Sequence, residues 1–117
     1  MKIVNTIINH NKAGKISAFE VSVDLHGDSC YFCMPDGDLA QLNEGNMGYF
    51  SGKVASAKAR YLEAMDEIRK ISNLPIEEYT FDKHRKMQQL TNDLALYRLD
   101  YIRSEAIYQA IQQNKEA

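Results

Sequence analysis

Two heptad stripes in the second half of the chain constrain its fold more than any other feature. The first runs Phe50, Val54, Ala57, Tyr61, Ala64, Ile68, Ile71, and the second Met87, Leu90, Leu94, Tyr97, Tyr101, Ser104, Tyr108, Ile111. Steps of four and three residues place each set on one face of a helix. Two such helices with a short connection predict an antiparallel helical hairpin. On the first, Glu63, Asp66, Glu67 and Lys70 fall away from the apolar stripe, as a surface helix requires. Its expected span is 49–73, ending before Leu74-Pro75 because a residue preceding proline is driven out of the α region. The second is expected over 82–113, with Thr80 or Asp82 as its cap. Residues 114–117 are expected to form a frayed tail.

Residues 1–46 carry a different period. Phe19, Val21, Val23 and Leu25 alternate with Glu20, Ser22 and Asp24, the pattern of a half-buried strand. Before it, Ile3, Val4, Ile7 and Ile8 form a β-branched segment, separated by the polar, glycine-containing stretch 10–15. After it, His26-Gly27-Asp28 reads as a tight turn and Ser29 to Met34 as a third strand, stopped by Pro35-Asp36-Gly37-Asp38. Leu39 to Leu42 fits a helical turn and 43–48 a loop. The fold class is therefore α+β: an N-terminal three-stranded antiparallel meander with a long helical hairpin after it, in one domain of 117 residues.

The last helix is apolar beyond its stripe, through Ala95, Leu96, Leu99, Ile102, Ala106, Ile107 and Ala110. A helix that is apolar on most sides is covered on most sides. One partner helix and one sheet leave a remainder, which predicts a second subunit docked on Leu96, Leu99, Ile102, Ala106 and Ile107.

Charge excludes some partners. The formal net charge is −2, which argues against a general nucleic-acid ligand, since phosphate binding needs a surplus of Lys and Arg. Residues 1–46 carry three basic and six acidic side chains, a net of −3, so the strand region is the acidic end. No apolar run approaches the roughly 20 residues of a membrane span, and the start of the chain is too weakly apolar for a secretory signal. Two cysteines do not make a secreted disulfide framework, so the expected compartment is the cytoplasm.

Several residue sets invite a chemical reading. His26, Cys30 and Cys33 have ligand types suited to zinc. Against this, an odd separation within a strand points the two thiols to opposite faces, and strand rise sets their Cα atoms about 10 Å apart. No metal and no cofactor is therefore expected. Gly48 to Lys53 has glycines near a lysine, but three residues separate Gly48 from Gly52-Lys53 and Val54 follows, which breaks the phosphate-loop spacing. A weaker anion site at that helix start would use Ser51 and Lys53. Lys83-His84-Arg85-Lys86 is a basic cluster at the head of the last helix, best read as a solvated first turn. Tyr97, Arg98, Tyr101 and Arg103 near the seam, with Lys53, are the candidates for a pocket holding a nucleotide-like anion. The histidines and serines form no set with the logic of a hydrolase.

The sequence thus favours a non-enzymatic protein–protein interaction module. Its expected form is a homodimeric inhibitor or adaptor, of the kind phage and mobile elements use against host proteins. The acidic strand region or the loop 35–48 would face the target. The alternative is a protein that binds or sequesters a small anionic ligand.

Overall fold

A computed structural model describes residues 1–116. It contains β1 (Lys2–His10), β2 (Ile16–Leu25), β3 (Asp28–Cys33), α1 (Asp36–Asn43), α2 (Met47–Ser72), a 3-10 turn (Ile76–Glu78) and α3 (Phe81–Glu116). The class is α+β: the three strands form one antiparallel sheet in the order β1-β2-β3, and helices follow. The stretch from residue 114, expected as a tail, continues as helix to Glu116. Residue 117 lies outside the described residues.

Local chemistry explains the turns. The β2–β3 connection is the two-residue loop His26-Gly27, with φ of 55° and 90°. Positive φ at both positions matches the right-handed twist of the flanking strands. Asp24 Oδ1 accepts the Gly27 N–H at 3.0 Å and holds the loop. Between β1 and β2, Asn11 Oδ1 accepts the N–H groups of Ala13 and Lys15, each at 3.0 Å.

Residues 35–46 differ from expectation. Their sequence pattern predicts a turn, a helical turn and a loop, and they contain the full helix α1. Pro35 precedes it, and Asp36 and Asp38 occupy its first turn, where carboxylates suit the positive end of the helix dipole. It stops at Gly45, whose φ of 75° places it in the left-handed region that favours glycine. The Asn46 N–H reaches Gln41 O and the Gly45 N–H reaches Leu42 O, both at 3.0 Å, closing a Schellman motif. The chain then enters α2 at Met47, so Gly48 and Gly52 are helical residues. At the other end, Thr80 caps α3, accepting the Lys83 N–H on Oγ1 at 3.3 Å.

The chain divides into two compact units, and α2 and α3 run through both. The sheet unit holds residues 1–54 and the stretch from Arg103 onward. The helical unit is Ala55–Ile102. In the sheet unit, Phe19, Val21 and Val23 of β2 are at most 2% exposed, and Phe32, Met34, Leu39, Phe50, Ala106, Ile107, Ala110 and Ile111 are also buried. Asn43 ties α1 to β2 by taking the Ile16 N–H at 2.8 Å and donating to Ile16 O at 3.0 Å, which imitates a neighbouring strand. In the helical unit α2 and α3 are antiparallel. Tyr61 stacks on Tyr101 at 6.2 Å between centroids, Arg60 pairs with Asp100 at 3.1 Å, and Lys86 lies 3.9 Å from Glu67. Every residue of both stripes is buried or half-buried.

Candidate functional site

The sheet unit contains a buried ionic cluster. Asp38 is 7% exposed. Its Oδ1 accepts the Tyr49 hydroxyl at 2.6 Å, and both carboxylate oxygens accept from Lys53 Nζ at 3.0 Å. The Lys53 ammonium also lies 5.2 Å from the Tyr49 ring centroid. The spacing of Tyr49 and Lys53, four apart on α2, aims both at one carboxylate on α1. Partial burial lowers the Lys53 pKa, but its hydrogen bonds with Asp38 and Tyr49 outweigh this, and the net shift is upward. The cluster is self-satisfied: a charged carboxylate out of water is tolerated when its lone pairs are taken by a cation and a hydroxyl.

That geometry bears on the proposed anion pocket. Lys53 is bound to Asp38, and the Ser51 hydroxyl donates to Gly48 O at 3.2 Å within helical backbone. Lys53 and Arg103 belong to the sheet unit, while Tyr97, Arg98 and Tyr101 belong to the helical unit. Tyr101 stacks on Tyr61, Tyr97 is half-buried, and Arg98 and Arg103 are exposed.

The zinc-type residues separate as strand geometry requires. Cys30 pairs with Val23 on the inner face of the sheet, whereas Cys33 pairs with Glu20 on the outer face. Both thiols are free. His26 forms the left-handed corner of the hairpin. Among the described residues no three His, Cys, Asp or Glu side chains are grouped to hold a metal ion. On the outer face Cys33, and after it Glu20, push the pKa of the Tyr31 phenol upward.

Burial divides the residues expected at a dimer surface on α3. Ala106 is 0% exposed and Ile107 5%, so both are spent in the core of the sheet unit and cannot also face a partner. Ile102 is half-buried. Leu96 and Leu99 remain, at 65% and 49% exposed, joined in the helical unit by Leu62 of α2 at 50%. The basic cluster at the head of α3 is solvated. His84 Nδ1 meets the Tyr79 hydroxyl at 2.9 Å, and the Arg85 guanidinium lies 4.9 Å from the Phe81 ring centroid.

One feature escaped sequence reasoning. An apolar cleft of about 440 Å³ in the sheet unit is lined by Ile8, Ile16, Phe19, Leu42, Met47 and Ile111, with His10, Gly45 and Asn114 at its polar positions. Its walls come from β1, β2, the α1–α2 region and the end of α3. Only Ile8 and Ile16, flanking a polar turn, hinted at an apolar patch beside the first hairpin.

Compared with known proteins, the chain matches no family model, no curated protein and no solved structure. Among the described residues no helix is long and apolar enough to cross a membrane.

Proposed function

We propose that this protein is a non-enzymatic protein–protein interaction module, an adaptor or inhibitor acting in the cytoplasm, that meets its target through the helical unit. The observation that supports this reading is the exposed apolar surface of that unit. Leu96 and Leu99, three residues apart, are neighbours on α3, and both are about half exposed or more. Leu62 on α2 is equally open, and Ile76 and Phe81 beside the helix connection are 87% and 68% exposed. A pair of helices buries one stripe on each member. Large apolar groups left outside that seam support a partner-binding surface there. The test is capture from native host lysate with wild-type protein and the Leu96→Glu/Leu99→Glu variant on beads. The variant is expected to keep its fold and to lose its specific partner at least about tenfold, since truncated apolar anchors cost more than about 1 kcal/mol each. Equal capture by both proteins would sink the reading.

A second reading, small-ligand binding, is supported by the cleft alone and changes the class of ligand. The cleft is of ordinary ligand size and mostly apolar, with His10 lining it and Lys12 and Lys15 in the adjoining turn. Such a site suits a medium-chain carboxylate in place of a nucleotide-like anion. In thermal-shift measurements a nucleotide panel is expected to leave Tm unchanged, while decanoate raises it. A rise with nucleotides and none with decanoate would reverse this assignment.

A further inference from the structure

We propose that the free edge of β1 pairs antiparallel with β1 of a second copy, across a two-fold axis through Ile7, to make one six-stranded sheet. The site is separate from the leucines of the helical unit and does not depend on them.

The order β1-β2-β3 leaves β1 and β3 as the two edges. Edge strands carry unpaired N–H and C=O groups that accept another strand, and proteins guard them with charge, proline or brevity. β3 is guarded: it has six residues, starts at Asp28 and is followed closely by Pro35. β1 is not. It has nine residues, and 3–9 reads Ile-Val-Asn-Thr-Ile-Ile-Asn, with no charge, proline or glycine. Its pairing with β2 has two irregularities, one at Val4 between Ile3 and Asn5 and one between Asn9 and His10. An uncharged, β-prone run of this length is the pattern of a strand that pairs with its own kind.

Register follows from the faces. Asn5, Ile7 and Asn9 pair with Ser22, Glu20 and Ala18 of β2, so they share the outer face, while Thr6 and Ile8 pair with Val21 and Phe19 on the inner face. Directly opposed residues in an antiparallel pair point to the same side. Centring on Ile7 satisfies this at every position. Ile7 meets Ile7 of the other copy, Asn5 meets Asn9, and Thr6 meets Ile8. Apolar thus faces apolar and amide faces amide on the outer face. The break at Val4 falls beyond this paired stretch, and the one between Asn9 and His10 lies at its end, where the extra residue, Ser17, belongs to β2. Ile7 is 43% exposed in the single chain, and the contact would cover it. The arrangement is isologous, so it closes at two copies.

The test is mass in solution by light scattering, with variants at exposed positions. Wild type is expected at twice the 13.4 kDa of one chain. Ile7→Lys opposes two like charges and is expected at the single-chain mass with an unchanged circular dichroism spectrum. Register is read by Asn5→Lys/Asn9→Glu, which opposes unlike charges and keeps the dimer, against Asn5→Lys/Asn9→Lys, which loses it. In a Cys30→Ser/Cys33→Ser background, Ile7→Cys is expected to cross-link to a covalent dimer on mild oxidation. A wild-type monomer at high micromolar concentration overturns the proposal. So does a dimer that survives Ile7→Lys, or one that Leu96→Glu/Leu99→Glu abolishes, which would place the contact on α3.

Discussion

Replacing Ile107 with glutamate is expected to unfold the sheet unit, while Leu96→Glu leaves the fold intact. Both residues sit off the main stripe of α3 and look alike in sequence. Ile107 is 5% exposed and Leu96 is 65% exposed. Losing a buried isoleucine side chain costs about 2–5 kcal/mol through transfer and cavity terms. An unpaired carboxylate in the same place adds several kcal/mol, or takes up a proton to avoid it. The sum is comparable to the roughly 5–15 kcal/mol that holds a small domain together. At Leu96 the carboxylate enters water, and a surface change of this kind stays within about 0.5 kcal/mol. Urea unfolding followed by circular dichroism separates the two. An Ile107→Glu midpoint equal to wild type would show that this turn of α3 is not part of the core.

The second large effect is expected at Asp38. Removing a buried member of an ion pair can cost about 3–5 kcal/mol when the remaining charge is trapped. Here the Lys53 side chain is 45% exposed against 10% for Asp38. The stranded ammonium can therefore swing into water, and the Tyr49 hydroxyl can do likewise in part. Asp38→Ala is accordingly expected to cost about 1–3 kcal/mol, the range for buried polar groups that lose their partners. The pH dependence has a definite sign. The Lys53 pKa is raised in the folded state, so its contribution is complete below the unfolded pKa of lysine. It is lost as pH climbs through the folded value. Wild type should therefore lose stability on the alkaline side of the lysine range, and Asp38→Asn should show a flatter profile there. Identical alkaline profiles for the two proteins would mean that the ion pair contributes nothing to the fold.

Much of the architecture was legible because it is written in short-range periodicity. The alternation from Phe19 to Leu25 identified β2 and its buried face. Ile71 and Pro75 marked the end of α2, and Thr80 and Asp82 bracketed the start of α3, which the Thr80 cap places at Phe81. The odd spacing of Cys30 and Cys33 foretold that the sheet would separate them. Helix α1 was underread because its apolar pattern is short and its start is masked by Pro35, Asp36 and Gly37, which are turn formers as much as helix openers. The early start of α2 was missed for a similar reason, since Gly48 and Gly52 are poor helix formers that the surrounding turns nevertheless carry.

The candidate sites were less legible. Lys53 was picked out as an anion ligand because the sequence shows a lysine near a helix start. It does not show the carboxylate of Asp38, fifteen positions away, that occupies it. Tyr97, Arg98 and Tyr101 were grouped with Lys53 and Arg103 by helical spacing, yet they fall in a different compact unit. The cleft was invisible because its lining is drawn from residues as far apart as Ile8 and Asn114.

By itself, then, the sequence determined the elements: strand parity, helix faces and most turn positions. These follow from steric preferences and side-chain periods that act within a few residues. Only the tertiary structure decided which of the surplus apolar residues on α3 are core and which are surface. Ala106, Ile107, Leu96 and Leu99 obey the same helical period, yet the first two are buried in the sheet unit and the last two stand open in the helical unit. Burial is a property of what stands opposite a side chain, and what stands opposite is set by segments distant in the chain.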